Sequence, residues 1–173
     1  MNFHIDWNEW FVVICSVITM FMFFLIRKHF NPITIVTIWM FNVGFVATLD
    51  YGLAATPFEF YYCGDNVTYE PITAIAHIFM YTPFSFMFLF LYDEWHLRNK
   101  KNRKRLVLYF IGWDAFSLFF EWLNVLNGFM TYTGWKLYYS CPMYPLAAFI
   151  LLRVYHFVEN NAPLQRKHKS PGN

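Results

Sequence analysis

The sequence predicts an all-α fold, a polytopic integral membrane bundle of five transmembrane helices. The chain of 173 residues is 58% hydrophobic, 24% aromatic and only 14% charged, whereas soluble domains carry about 25% charged residues. Five apolar runs approach or exceed the length that a helix needs to cross a hydrocarbon core of about 30 Å. A backbone inside a bilayer must satisfy its own hydrogen bonds, and runs of this length do so as helices.

The five runs follow one another without a linker, so we expect one transmembrane domain over 1–160 and a basic, disordered cytoplasmic tail over 161–173. The first run is uncharged, and Trp7 and Trp10 extend it into the interface. Its start is acidic, which favours an anchor over a signal peptide. In the third run, Pro83 removes one backbone hydrogen bond and predicts a kink. The predicted spans are about 11–26, 33–53, 72–92, 106–126 and 137–158.

The basic residues are distributed unevenly along the chain. If the five runs cross a membrane, twelve of the thirteen Lys and Arg residues share one side and only Lys136 lies on the other. Short loops rich in Lys and Arg stay in the cytoplasm, so the N-terminus is predicted outside and the C-terminus inside. We interpret the basic loop 98–105 as a topology determinant that contacts anionic lipid headgroups, rather than as a nucleic-acid site.

Ionisable groups at membrane depth are the candidates for function, because a charge at the bilayer centre costs about 2.5 to 3.5 kcal/mol. The fourth run also places polar residues every three or four positions, from Asp114 through Ser117 to Gly128, which puts them on one helical face that must point inward. The candidate intramembrane polar site comprises Asp50, His77, Asp114, Glu121, Asn124 and Arg153.

Depth along the spans suggests which of these groups meet. Asp114 and Arg153 are each several residues from the cytoplasmic ends of their spans, and we expect them to pair. Asp50, His77 and Glu121 lie near the external ends of theirs and are expected to form a second cluster. Such groups could form a proton or cation path or a polar substrate pocket. They could equally serve only to hydrogen-bond the helices together.

Smaller patterns carry weaker predictions. Gly44, Thr48 and Gly52 form a stripe of small residues, for which we expect internal packing rather than a homodimer face. A disulfide between Cys63 and Cys141 is conceivable on the external side. The segment 66–68 matches a glycosylation sequon, which matters only in a eukaryotic secretory pathway.

Motifs of the common enzyme classes are missing from the sequence. It contains no P-loop, nucleophile elbow, H-E-x-x-H or dinucleotide fingerprint, and its histidines have no haem-binding spacing. We therefore expect no catalytic residues, no metal and no cofactor. The preferred function is that of a non-enzymatic structural, assembly or sensing component, with a membrane protein or a second copy as partner. The alternative is a small transporter or proton-coupled carrier that uses the intramembrane acids and His77.

The segment from Glu121 to Ser140 carries a resemblance. An acidic residue is followed at the seventh position by Gly128, then by a Thr-Tyr pair and by a Gly-Trp pair. This pattern resembles an uncharacterised family of small five-span membrane proteins of spore-forming Firmicutes, in which Asp50 matches the acid of the second span. The resemblance implies a bacterial cytoplasmic membrane, and it implies no activity, substrate or cofactor.

Overall fold

The computed structural model describes residues 6–54, 58–65, 70–99 and 102–161. Three predicted features lie wholly or partly outside the described residues. They are residues 162–173 of the tail, the sequon at 66–68, and Lys100 and Lys101 of the basic loop. A 3₁₀ turn at Arg27–His29 follows the first helix, and a π-helical segment at Ala76–Tyr81 joins the third helix to the fourth. In chain order the elements are α1 Trp7–Ile26, α2 Pro32–Ala54, β1 Tyr61–Cys63, α3 Pro71–Ile75, α4 Thr82–Glu94, α5 Arg103–Leu126, β2 Met130–Tyr132, α6 Leu137–Ser140 and α7 Met143–Asn161.

Within the described residues, five helical stretches are long and apolar enough to cross a membrane, which confirms the predicted number. The stretches are longer than predicted. In α1 the helix begins at Trp7 because Asp6 and Glu9 form a capping box, in which the Asp6 backbone N–H donates to Glu9 Oε2 at 2.7 Å. The fifth stretch is interrupted at Cys141 and Pro142, between α6 and α7. The bounds of the five stretches are Trp7–His29, Pro32–Ala54, Pro71–Glu94, Arg103–Leu126 and Leu137–Asn161.

The third stretch, Pro71–Glu94, lies at the centre of the bundle. Of the 18 most apolar consecutive residues in this stretch, 44% are buried, whereas the corresponding share in the other four stretches is 11 to 22%. Elements of this stretch pack against both α1 and α2. The other helices instead present large apolar side chains outward, as expected for surfaces that contact lipid. Among the most exposed are Val17, Phe21, Val36, Met40, Leu108 and Phe157.

Two threonine hydroxyl groups donate to backbone carbonyls in the irregular helical segment before Pro83, and one of them replaces the missing proline N–H. Pro83 cannot donate to the carbonyl of Phe79 four residues earlier. The Thr19 hydroxyl of α1 lies 2.8 Å from that oxygen and donates to it instead. Thr82 Oγ1 donates to the carbonyl of His77 at 2.8 Å, within the π-helical segment. The predicted loss of regular helical bonding thus occurs next to the buried His77, and π-helical turns are common at functional sites.

A two-stranded antiparallel sheet covers one end of the bundle, which we call the sheet end. Strand β1 pairs with β2 in the register Tyr61 with Tyr132 and Cys63 with Met130. The predicted all-α fold included no strands in this region. Gly128, two residues before β2, adopts the left-handed conformation, with φ of 75°, that glycine tolerates best. The sheet joins two distant segments, so it ties the α2–α3 connection to the α5–α6 connection.

The opposite end, called the basic end, carries the 3₁₀ turn after α1 and the start of α5. A carboxylate that the sequence analysis did not consider, Asp93, lies here in α4. The Tyr155 hydroxyl donates to Asp93 Oδ2, and His29 Nε2 lies 3.2 Å from the same oxygen. Thr34 donates to Glu159 Oε1 at 2.6 Å. These bonds join the basic ends of α1, α2, α4 and α7.

One expectation about packing is wrong. The stripe of Gly44, Thr48 and Gly52 was expected to pack internally, but all three residues are exposed on the outer face of α2. A Cβ built on either glycine would meet nothing within 4 Å among the described residues. Cys63 and Cys141 are free thiols, because Cys63 lies in the sheet whereas Cys141 lies beside Asp114 of α5.

Candidate functional site

Glu121 is the acceptor of a hydroxyl network at the sheet end. Its side chain is buried in α5, and Oε1 accepts hydrogen bonds from Tyr132 at 2.6 Å and Ser140 at 2.8 Å. The other oxygen, Oε2, accepts from Tyr144 at 2.7 Å. The Trp135 indole in turn donates to Ser140 at 2.9 Å. A single carboxyl group therefore connects α5 to β2, α6 and α7.

Asp50 and His77 form the second buried contact. Asp50 Oδ2 lies 2.6 Å from His77 Nε2, and the imidazole is 1% exposed. Asp50 Oδ1 accepts a hydrogen bond of 2.6 Å from the Tyr61 hydroxyl of β1. The α2 carboxyl group thus links the π-helical segment to the sheet, just as Glu121 links α5 to it.

Two of the three tyrosines in the sheet, Tyr61 and Tyr132, remain donors to these acids at neutral pH. Burial raises the pKa of Tyr61 well above its usual range, and the neighbouring Asp50 carboxyl raises it further. Burial also raises the pKa of Tyr132, as does its hydrogen bond to Glu121. The pKa of the Cys63 thiol is raised by burial first and by Asp50 second. All three groups therefore stay protonated, and the phenols keep the O–H bonds that the carboxyl groups accept.

A cavity of about 290 Å³ lies between α2, α4, α5 and α7, below the sheet. Asp50, Asp114, Glu121 and Asn124 all line it, so the cavity brings together four of the six predicted site residues. The polar face of α5 also contributes Ser117. Twelve aromatic side chains contribute to the walls, and they come from every surrounding helix. The aromatic lining residues are Phe41, Phe45, Tyr61, Tyr81, Phe84, Phe88, Phe110, Trp113, Phe116, Phe120, Trp135 and Tyr144.

Several polar atoms of the lining have no hydrogen-bond partner among the described residues. They are Asp114 Oδ1, Asn124 Oδ1 and Asn42 Nδ2, and each is buried. Asp114 Oδ2 accepts only a long contact of 3.5 Å from the Cys141 thiol. Asn124 donates through Nδ2 to the Phe120 carbonyl at 2.8 Å, which fixes its oxygen as the unpartnered atom. A buried polar atom without a partner costs free energy, so in a native protein a water, an ion or a ligand is expected to bind there.

The predicted pair between Asp114 and Arg153 is wrong. Within the described residues Arg153 makes no ion pair; its exposed guanidinium lies 5.1 Å from the centroid of the Phe149 ring. The buried face of α7 is formed by Leu151, Leu152, Tyr155 and Val158, and Arg153 lies outside it. A shared depth was therefore not enough to bring the two groups together, because Arg153 faces away from the bundle. Asp114 is left without a cation partner in the described part of the chain.

The hydroxyl partners of the acids were not predicted from the sequence. The Tyr132 hydroxyl, for example, binds Glu121. Tyr61, Ser140 and Tyr144 were not considered at all. No sequence pattern indicates these contacts, because they form only when the sheet and the start of α7 lie over Asp50 and Glu121.

Among the described residues, no group of three or more His, Cys, Asp or Glu side chains is arranged to hold a metal ion. Comparisons with protein-family models, with curated proteins and with solved structures found no match for this chain. The resemblance to the five-span proteins of spore-forming Firmicutes therefore stays a prediction.

Proposed function

We propose that this chain is a non-enzymatic, multi-pass protein of a bacterial cytoplasmic membrane that binds a small solute in the cavity between its helices. The observation that carries the proposal is the aromatic cavity of about 290 Å³ with unpartnered buried atoms at Asp114, Asn124 and Asn42. A polar interior that only held helices together would satisfy its own groups. A membrane protein that binds a solute and passes this binding on as a signal has a sensing role.

The acids divide into two groups in this proposal. Asp50 and Glu121 are satisfied by hydroxyl donors and, for Asp50, by His77, so they hold the sheet on the helices. Asp114 and Asn124 have acceptor oxygens without a donor among the described residues, and these oxygens face the solute. Structural and binding roles are thus assigned to different residues of one cavity.

The proposed orientation has the sheet end outside and the basic end in the cytoplasm. The distribution of Lys and Arg supports it, since Lys136 lies next to the sheet whereas Arg98 and Arg103 lie at the basic end. The exposed Arg103, Lys104 and Arg105 at the start of α5 also suit contact with anionic lipid headgroups.

Cysteine labelling in intact bacteria tests this orientation. In a variant whose three native cysteines are replaced by alanine, Lys136→Cys is expected to react with a membrane-impermeant maleimide, because it lies outside. Arg98→Cys is expected to react only after the cells are permeabilised. The opposite pattern contradicts the orientation, and equal labelling of both positions in intact cells contradicts membrane insertion.

A second labelling experiment tests access of solutes to the cavity. In the same cysteine-free background, Ser117→Cys is expected to react with the cationic reagent aminoethyl methanethiosulfonate, because Ser117 lines the cavity. The matched control is Ala115→Cys, two residues away on the outer face of the same helix. In the proposed membrane arrangement this face contacts lipid, and the charged reagent does not enter lipid. We expect Ser117→Cys to react at least tenfold faster. Equal rates at the two positions, or an unreactive Ser117→Cys, would exclude a solute-binding cavity.

A proton-coupled carrier is the second candidate, and the π-helical segment at His77 favours it. This irregular turn lies in the central helix beside Pro83, where a helix can change its bonding during transport. Proteoliposomes test this candidate with Glu121→Gln and Asp114→Asn. Solute flux that survives both substitutions would exclude a carrier that uses these acids.

A further inference from the structure

We propose that the cavity binds an elongated organic cation with an amino group at each end, a linear diamine or polyamine. This inference rests on the proposed solute-binding function and specifies its ligand. It follows from three properties of the lining: the sign of its charged groups, its aromatic walls, and the spacing of the two acceptor oxygens that lack a donor.

The charged groups of the lining have one sign. Asp50, Asp114 and Glu121 contribute carboxyl groups, and no Lys or Arg is among the described residues of the lining. Asp114 is the member of this set with the fewest contacts, since its Oδ1 has no partner in the described part of the chain. A cation that enters the cavity gains a charge-assisted hydrogen bond there. An anion would meet three carboxyl groups and no basic side chain among the described lining residues.

The aromatic walls favour an organic cation over a metal ion. Faces of Trp, Tyr and Phe attract ammonium groups through the quadrupole of the ring, and Trp113, Phe116 and Phe120 of α5 line the cavity together with Asp114. A metal ion instead needs several ligand atoms around one point. No such group of His, Cys, Asp and Glu exists in the described ranges. The methylene segments of an amine also suit the apolar part of the walls.

The spacing of the free acceptors sets the length of the ligand. Asp114 and Asn124 are ten residues apart in α5, which corresponds to about 15 Å along the helix axis. Both side chains lean in the same direction along the helix, so this offset is largely kept at the oxygens. After two hydrogen bonds of about 2.9 Å are subtracted, about 9 Å remains between the two ligand nitrogens. A single amino group cannot serve both oxygens.

The amide orientations are compatible with this ligand. The oxygen of Asn124 is held toward the free side because Nδ2 donates to the Phe120 carbonyl. Asn42 has an unpartnered Nδ2 within the described structure, and a half rotation of its amide presents the oxygen instead. Both Asn42 and Asn124 are more than nine-tenths buried, so a group that enters the cavity can pair with their unpartnered amide atoms.

Isothermal titration calorimetry in phosphatidylcholine nanodiscs tests the proposal with a graded set of probes. The full-length chain is titrated with spermidine, 1,4-diaminobutane, n-butylammonium and butyrate. We expect spermidine to bind most tightly and 1,4-diaminobutane at least tenfold more weakly, because its two nitrogens are too close to reach both oxygens. Butylammonium should bind more weakly still, and butyrate should not bind. The zwitterionic lipid keeps adsorption of the cations to the bilayer low.

Substitutions identify the site of binding. Asp114→Asn keeps the shape of the side chain and should lower spermidine affinity at least tenfold, because a charge-assisted hydrogen bond is lost. Asn124→Leu should remove the advantage of spermidine over 1,4-diaminobutane. The control Glu94→Gln removes an exposed carboxylate at the basic end and should change neither value.

The outcomes separate this inference from the function on which it rests. Equal affinities for spermidine and butylammonium would overturn the two-ended ligand, and tighter binding of butyrate would overturn a cationic one. Absence of binding by all four probes would also overturn the inference. In each of these cases, selective reactivity of Ser117→Cys would leave the solute-binding function standing. An unreactive Ser117→Cys would remove both.

Discussion

Replacement of Glu121 by Leu is expected to lower the free energy of unfolding by about 3 to 5 kcal/mol, because three hydroxyl groups lose their shared acceptor. Tyr132, Ser140 and Tyr144 all donate to this buried side chain. Leu cannot accept a hydrogen bond, so all three donors would be left in an apolar region. The measurement is unfolding of the purified protein by a titration of sodium dodecyl sulfate in mixed micelles.

Two milder variants control this prediction. Tyr144→Phe removes one donor and should cost about 1 kcal/mol. Glu121→Gln keeps one oxygen and the length of the side chain, so its cost should lie between those of the other two variants. A Glu121→Leu variant as stable as Tyr144→Phe would show that the network does not hold the sheet end together.

Replacement of Asp50 by Ala should cost about 2 to 3 kcal/mol, because two buried contacts are lost together. His77, which is 1% exposed, loses its contact of 2.6 Å, and the Tyr61 hydroxyl loses its acceptor. The loss should also loosen the sheet, because Tyr61 begins β1. Hydrogen exchange of the backbone amides in β1 should therefore become faster, in addition to the loss measured by unfolding.

The control for this second prediction is Tyr61→Phe, which removes the hydroxyl and leaves the Asp50 contact with His77 in place. It should cost about 1 kcal/mol. Equal stability of Asp50→Ala and Tyr61→Phe would show that the contact between Asp50 and His77 contributes nothing. Unchanged exchange in β1 would show that the sheet is held by its own backbone bonds.

The five helices were predictable because apolar runs of about 16 to 22 residues leave few alternatives to a spanning helix. The two strands were not, since β1 and β2 contain only three residues each. A run of three residues is too short to establish an alternating pattern, and the pairing joins segments about seventy residues apart. The break at Cys141 and Pro142 was predictable only as an irregularity, from the position of the proline.

The inward face of α5 illustrates what periodicity can predict about a site. Asp114, Ser117, Glu121 and Asn124 repeat at helical spacing, and all four line the cavity. The pair between Asp114 and Arg153 failed because it was argued from depth alone. The apolar period of α7, with Leu151 and Tyr155 on the buried face, places Arg153 on another side. Depth and helical face must both agree before two groups on different helices can be paired.

The hydroxyl partners of the acids depend on tertiary structure. Tyr132 and Tyr61 reach Glu121 and Asp50 only because the sheet brings the two connections over the bundle. Aromatic residues near span ends usually suggest interfacial anchors. Here the same residues are hydrogen-bond donors to buried acids, which a one-dimensional pattern does not indicate.

The division of the acids between structural and binding roles is tested most directly by the unfolding free energies of two isosteric variants without ligand. Glu121→Gln should be less stable than the unsubstituted protein, because its acceptors are in use. Asp114→Asn should be equally stable or more stable, because Asp114 Oδ1 has no donor in the described structure and groups kept for binding are often a cost to the folded state. A loss of stability in Asp114→Asn as large as that in Glu121→Gln would contradict the division and with it the solute-binding cavity.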